Sequence, residues 1–245
     1  MARRTVILIG HRGACAVAPE STVASIQAAL AAGVDMIELD VQMTQDRRLV
    51  IVHDERLERT TTGSGRVWAW RYRDLRRLDA GVWFARRFAG SRILLMSQAL
   101  RMIPPPCLVN LELKPARRTS VMVDRLIRCL DWRHAHRRVL VSSFQCSVLA
   151  RVRARRKGVA RALLCRRQPW RALREAHRLG CVALHPHVSV VSGRLVEAAH
   201  RQGLRVHVWT VDEPTQARRV IRMGVDGLVT NAPHRLRALV VQATA

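Results

Sequence analysis

The stretch Met36-Ile-Glu38-Leu-Asp40-Val-Gln-Met-Thr44-Gln-Asp46-Arg47-Arg-Leu49-Val-Ile-Val-His53-Asp54 decides how the rest of the chain is read. Two apolar runs of strand length stand only about four residues apart, Thr44 to Arg47. A parallel crossover needs about a dozen residues or more, so these runs pair as an antiparallel hairpin. A turn centred between Gln45 and Asp46 sets Glu38 opposite His53. Asp40 shares the face of Glu38, because side chains on a strand repeat every two residues. The hairpin alone thus brings a histidine to two carboxylates.

Working outward, strand-length apolar runs alternate with segments whose apolar residues recur every three or four positions, the pattern of βαβ units. Besides Met36 to Val41 and Leu49 to His53, strands are expected at Val6 to Gly10, Cys107 to Leu113, Val139 to Ser142, Arg161 to Cys165, Cys181 to His185, Arg205 to Thr210 and Gly227 to Thr230. Helices are expected near Ser21 to Ala32, Val121 to Leu130, Ser147 to Arg156, Trp170 to Leu179, Ser192 to Gln202 and Glu213 to Met223. Ser21 or Thr22 can cap the first, and Gly33, Gly158, Gly180, Gly203 and Gly224 stand where helices would stop. Setting aside the hairpin's return strand leaves eight. The chain's 245 residues are close to the roughly 250 of a TIM (β/α)8 barrel. The expected fold is therefore α/β, a TIM barrel forming one domain over residues 1–245, with a small insertion over about 54–106. That insertion carries Thr60-Thr-Thr-Gly-Ser-Gly65, Trp68, Trp70, Tyr72, Trp83 and Pro104-Pro-Pro106, with short helices expected near Tyr72 to Leu78 and Met96 to Met102. Its aromatics either line a substrate mouth or pack the insertion onto the barrel.

Four polar groups end four of the strands: His11-Arg12-Gly13, Glu38-Leu-Asp40, His53-Asp54 and Glu112-Leu-Lys114. In a parallel barrel these converge at one rim, where α/β barrels place their sites. Glu38, Asp40 and Glu112 offer the oxygen ligands that hard divalent cations such as Mg2+ or Ca2+ take. Arg12, Lys114 and such a metal suit the non-bridging oxygens of a phosphate. His11 and His53 suit the proton donor and acceptor that phosphoryl transfer requires. His134-x-His136 and His185-Pro-His187 show no carboxylate pattern and are expected on the surface or rim.

Composition bounds the alternatives. No run approaches the roughly 18 apolar residues of a membrane span, and Met1 to Gly10 is too short for a secretory apolar segment. Six cysteines show no CxxC pair and mostly sit in apolar runs, which fits small buried hydrophobes and a cytoplasmic location. The net charge of +25 comes almost wholly from arginine, since Lys114 and Lys157 are the only lysines. Such a surface attracts polyanions, including nucleic acid and anionic membranes. With aromatics at 4% and no RNP-like run, an obligate nucleic-acid partner is not expected, and the basic surface leaves peripheral contact with anionic membrane open.

Taken together, His11-Arg12-Gly13, Pro19-Glu20-Ser21-Thr22, Glu38-Leu-Asp40-Val, Thr44-Gln-Asp46, Val52-His53-Asp54, Leu57-Glu-Arg59-Thr60-Thr, Glu112-Leu-Lys114-Pro and Trp209-Thr-Val resemble the glycerophosphodiester phosphodiesterases, over roughly residues 7 to 233. Asp79-Ala-Gly-Val-Trp83 and Ser142-Ser-Phe144 are similar to the compact cytoplasmic bacterial members. The resemblance implies a TIM barrel with one bound Mg2+ or Ca2+. The implied reaction is hydrolysis of glycerophosphocholine, glycerophosphoethanolamine and similar diesters to sn-glycerol 3-phosphate and an alcohol. It implies His11 and His53 as the acid/base pair, Glu38, Asp40 and Glu112 as metal ligands, and Arg12 and Lys114 as phosphate contacts. Trp209, and Phe144 beside it in role, would pack on the glycerol carbons. The family commonly has Asn at Ser21, Gly at Arg47 and Asp at Asn231; none of these departures is expected to touch the seven charged site residues. Two other readings are a lysophospholipase D on the same barrel and a nonenzymatic basic protein that binds nucleic acid.

Overall fold

The computed structural model describes residues 6–244. Residues 1–5 and 245 lie outside it, and with the former half of the stretch read above as too short for a secretory segment. Eight parallel strands close into a barrel: β1 (Ile7–His11), β2 (Met36–Met43), β4 (Leu108–Leu113), β5 (Val139–Ser143), β6 (Ala160–Cys165), β7 (Ala183–Pro186), β8 (Arg205–Val208) and β9 (Gly227–Thr230). Closure comes from β1, which pairs with β9 on one side and β2 on the other. The remaining strand, β3 (Leu49–Ile51), lies antiparallel against β2. A helix follows each barrel strand or its excursion: α1 (Val23–Ala31), α3 (Met96–Met102), α4 (Thr119–Trp132), α5 (Cys146–Arg155), α6 (Pro169–Arg178), α7 (Gly193–Arg201), α8 (Pro214–Arg222) and α9 (Pro233–Thr244). No helix among the described residues is long and apolar enough to cross a membrane. All six cysteines are unpaired, with Cys107, Cys165 and Cys181 buried.

Inside the barrel the period of two separates a dry lower half from a polar upper half. Ile9, Met36, Leu140, Ala162, Ala183 and Val229 fill the lower layers. Two residues further along come His11, Glu38, Ser142, His185 and Asn231, with Leu164 the one apolar member of the layer, so these positions turn largely polar where the strands reach their C-terminal ends. Between barrel and helices lies the main core, including Leu8, Ile26, Ile37, Leu39, Val109 and Leu111.

Three differences from the sequence reading have physical causes. The helix Met96–Met102 buries Met96, Ala99 and Leu100 in the main core, so by its packing it belongs to the ring and not to the insertion. Helix α9 was not expected. Its signal was Pro233 at the first helical position followed by Leu236 and Val240 at helical spacing, both now buried. The hairpin register is one residue off the expected one, with Val41 facing Ile51 and Met43 facing Leu49, and the ladder ends there, so Glu38 is level with His11 and Asn110 rather than with His53. The extra residue is Arg47, at φ 59. It ends a three-residue loop closed by Thr44 N–H to Arg48 O at 3.0 Å and Arg47 N–H to Thr44 O at 3.0 Å, the pattern of a hairpin whose last loop residue is left-handed.

Two family departures thus fall at left-handed backbone, since Ser21 sits at φ 61 and Thr22 is the residue that caps α1. Relieving Arg47 is expected to stabilise the chain. Arg47→Gly should gain about 1 kcal/mol, seen as a rise in Tm of about 2–4 °C; an unchanged or lower Tm would show that the loop holds Arg47 without strain.

The insertion has its own small core of Val50, Val52, Leu57, Val67, Leu75, Ala80 and Ile93, against which Trp70 and Tyr72 pack. Only the first of its two expected helices lies within it, as the single turn α2 (Tyr72–Leu75). Tyr72 N–H donates to Asp46 Oδ1 at 3.0 Å and so ties the insertion to the hairpin tip.

His185 corrects another expectation. It stands inside the barrel beside His207, the two 1% and 3% exposed with ring centroids 4.8 Å apart. Burial, and then the neighbouring His207, holds the pKa of His185 well below the ordinary value, while burial brings His207 down to about 4. The unfolded chain therefore takes up protons that the native barrel refuses, and stability is lost as pH falls from about 6.5 towards 4. His207 alone should cost on the order of 3 kcal/mol over that window. Urea unfolding at pH 7, 6 and 5 should show the decline, and His207→Leu should flatten it; an equally steep decline in the variant would place the effect elsewhere.

Candidate active site

A cavity of about 330 Å3 opens at the C-terminal end of the barrel strands. His11, Arg12, Glu38, His53, Glu112, Lys114, Phe144 and Trp209 all line it. Asp40, fully buried, contacts two of them: Lys114 Nζ lies 2.8 Å from its Oδ1 and Arg12 Nε 3.2 Å from its Oδ2. These contacts are ion pairs that lack hydrogen-bond alignment, so both Asp40 oxygens still have room for a further partner.

The turn after β1 aims Arg12 inward. Arg12 at φ 52 and Gly13 at φ 85 reverse the chain, and a Cβ on Gly13 would lie 2.5 Å from the backbone carbon of Ser25, so glycine is required there. Arg12 N–H then donates to Glu38 Oε2 at 3.1 Å and its guanidinium to Glu20 at 2.9 Å. Strands β2 and β4 are paired with Asp40 level with Glu112, and Glu38 level with Asn110. That register, not sequence proximity, gathers the carboxylates. Ligand oxygens of Glu38, Asp40 and Glu112 all lie within 4.8 Å of one another.

Burial, with the Asp40 and Glu112 charges beside it, pushes Glu38 well above the usual carboxylate range. Glu112 is raised by burial and by Asp40, while Lys114 draws it back. Asp40 is pushed up by burial, but Lys114 and Arg12 overcome that and hold it below its ordinary value. Three crowded carboxylates, one with an unpartnered oxygen at Glu38 Oε1, form a hard, oxygen-only donor set that suits a divalent cation.

The two histidines are held differently. His11 Nδ1 lies 2.6 Å from Asn231 Oδ1, and Asn231 Nδ2 donates to Asp212 Oδ2 at 2.7 Å, which fixes the amide orientation. Asn231 can therefore only accept from His11, so the proton sits on Nδ1 and leaves Nε2 as an acceptor, 3.9 Å from Glu38 Oε2. Burial, and next Arg12, brings the His11 pKa down to about 4. His53 Nδ1 meets Asp54 Oδ1 at 2.6 Å. Against the push of partial burial, Arg59 and His53 draw Asp54 down to about 2. Arg59 in turn grips both oxygens of Glu20 at 2.8 Å. Gln42 Nε2 donates to the carbonyls of His53 and Asp54 at 3.0 and 2.6 Å, fixing the chain where β3 ends.

The expectation that the departures touch no site residue fails at Asn231, which is the hydrogen-bond partner of His11. His136 lies at the surface as expected, its Nε2 2.6 Å from Asp131. The aromatic wall is Trp209, edge-on to Phe144 at 5.6 Å and to His187 at 4.9 Å. The insertion's aromatics do not line this cavity; Trp68 stacks under Arg117, 4.5 Å from the ring centre, beside a neighbouring groove. Asn110 and His185 line the cavity as well, and neither was singled out as a ligand contact from the sequence.

The sequence profile of the glycerophosphoryl diester phosphodiesterase family matches residues 11–235. The chain belongs to this family. A glycerophosphodiester phosphodiesterase from Caldanaerobacter subterraneus subsp. tengcongensis is 35% identical over 239 residues, covering 96% of this chain and 97% of that relative. One from Bacillus altitudinis is 31% identical, covering 93% and 95%. Among solved structures, an Oleispira antarctica phosphodiesterase in complex with the product sn-glycerol-3-phosphate superposes with a TM-score of 0.91 at 28% identity, covering 96% of each chain. A glycerophosphodiester phosphodiesterase from Agrobacterium tumefaciens gives 0.83 at 26% identity, covering 95% of this chain and 99% of that one. As in those structures the fold is a TIM barrel, and the chain is a hydrolase of glycerophosphodiesters.

Proposed function

We propose that this glycerophosphodiester phosphodiesterase releases sn-glycerol 3-phosphate and an alcohol from diesters such as glycerophosphocholine and glycerophosphoethanolamine, with Mg2+ or Ca2+ held by Glu38, Asp40 and Glu112. The observation that carries the proposal is the gathering of those carboxylates, Arg12, Lys114 and two oppositely supported histidines around one cavity. When bound there, the cation neutralises phosphate charge and makes phosphorus more electrophilic.

The chain's own groups supply the rest. Arg12 and Lys114 stand where the non-bridging oxygens need positive charge, and Asp40 keeps both cations pointed inward. His11, neutral and with Nε2 free, takes the proton from the attacking hydroxyl or water. His53, with the Asp54 carboxylate behind it to stabilise an imidazolium, delivers a proton to the departing alkoxide. Trp209 and Phe144 pack on the glycerol carbons and keep water from that side of the cavity.

Coupled detection of glycerol 3-phosphate from the two substrates tests this reading. EDTA should abolish release, and Mg2+ or Ca2+ should restore it. Turnover that persists unchanged in EDTA would remove the carboxylates from the reaction.

A further inference from the structure

The floor of the cavity carries polar atoms that neither the carboxylate cluster nor the histidine pair uses. Asn110 and His185, each 1% exposed, line it from β4 and β7, and Asn110 Oδ1 and His185 Nε2 have no hydrogen-bond partner. An unpaired buried polar atom costs about 1–3 kcal/mol, so two in one cavity call for an occupant that supplies hydrogen bonds. Its chemistry follows from what surrounds them. Glu38 is level with Asn110 in the strand register, which disfavours an anion at that depth. His207 fills the space behind His185, and among the described residues the group of carboxylates suited to a cation is the Glu38, Asp40 and Glu112 cluster, which does not include these atoms. The aromatic edge of Trp209 borders the same space; its Nε1–H donates to the His185 carbonyl at 2.8 Å, which fixes the ring beside the imidazole. Leu164 and Phe144 complete the wall. Uncharged hydroxyls on a short carbon chain fit such a lining.

We infer that Asn110 and His185 form the subsite for the free hydroxyls of the glycerol arm, and that this subsite selects deacylated diesters over lysophospholipids. The inference rests on the hydrolytic reading above. A hydroxyl donates to Asn110 Oδ1, and His185 Nε2 donates or accepts according to its tautomer. An acyl ester in place of a hydroxyl removes that donor and adds a long chain to a floor closed by His207 and the apolar layer of Met36, Leu140 and Ala183. A site built to bond a hydroxyl strongly rejects an analogue that lacks it, because its own polar groups are left unpaired.

The test uses the full chain loaded with Mg2+ or Ca2+ and three variants, His185→Leu, His185→Gln and Asn110→Ala. Two quantities are read: kcat/KM for glycerophosphoethanolamine, and competitive inhibition by glycerol 3-phosphate against inhibition by inorganic phosphate. His185→Leu and Asn110→Ala should each weaken glycerol 3-phosphate about 10- to 100-fold and leave inorganic phosphate unchanged. His185→Gln, which keeps a hydrogen-bonding group, should recover most of the loss. The unsubstituted enzyme should turn over lysophosphatidylethanolamine far more slowly than glycerophosphoethanolamine. Parallel loss for both inhibitors, or no loss for either, would mean that these residues hold buried water or pack the barrel, and would overturn the inference. Should His185→Leu fail to fold, Asn110→Ala and His185→Gln decide it by the same ratio. No turnover of any diester by the unsubstituted enzyme would instead sink the hydrolytic reading on which this one stands.

Discussion

His11→Ala should lower kcat/KM for glycerophosphodiesters by about 100- to 10,000-fold, the range of a lost general acid or base, while leaving cation affinity close to that of the unsubstituted enzyme. The separation follows from the geometry. His11 Nδ1 is committed to Asn231 and its Nε2 stays 3.9 Å from Glu38, so in the proposed mechanism its ring serves the proton path and not the carboxylate cluster. Calorimetric titration with Ca2+ beside steady-state kinetics checks both halves. Restoration of the His11→Ala variant by excess Mg2+ or Ca2+, with no such rescue for Glu112→Gln, would reverse the roles given to these groups.

Asp40→Asn should do more damage, to stability as well as to rate. Asp40 is wholly buried and is the shared anion of Lys114 and Arg12. Removing one partner of a buried ion pair typically costs about 3–5 kcal/mol, which should lower Tm by about 10 °C or more. Catalysis should fall about 1,000-fold or more as both phosphate-facing cations lose their anchor. The neighbouring carboxylate responds in the opposite sense: without the Asp40 charge, Glu38 ionises more readily, because Asp40 follows burial among the causes that raise it. Thermal unfolding and kinetics of Asp40→Asn, compared with Glu38→Gln, separate the two effects. An unaltered Tm and a small rate loss would show that Lys114 and Arg12 are positioned without Asp40.

Much of this arrangement was legible in the residues. The alternation of runs and the short Thr44–Arg47 link identified eight barrel strands plus one return strand, because a parallel barrel leaves no other use for a strand so close behind its predecessor. Polar residues ending apolar runs marked the upper rim for the same reason that Ile9, Met36 and Leu140 fill the lower half. What stayed hidden depends on contacts between distant segments. Asn231 reaches His11 across 220 positions, and its role is visible only once β1 and β9 are neighbours. His185 reads like any polar residue at a strand end, since burial depends on which side of the strand faces the barrel axis. The one-residue register error arose because the left-handed conformation of Arg47 adds a loop residue that its side chain does not advertise.

The return strand has one more consequence. His11 is built into the closed barrel, whereas His53 follows a strand laid outside it, held by pairing with β2, by the amide of Gln42, and by burial of Leu49 and Ile51 in the main core and of Val50 and Val52 in the insertion's core. The two groups proposed to transfer protons are thus held by different packing. Loosening the insertion's small core, which holds Val52 next to His53, would therefore disturb one of these positions and leave His11 seated between β9 and β2.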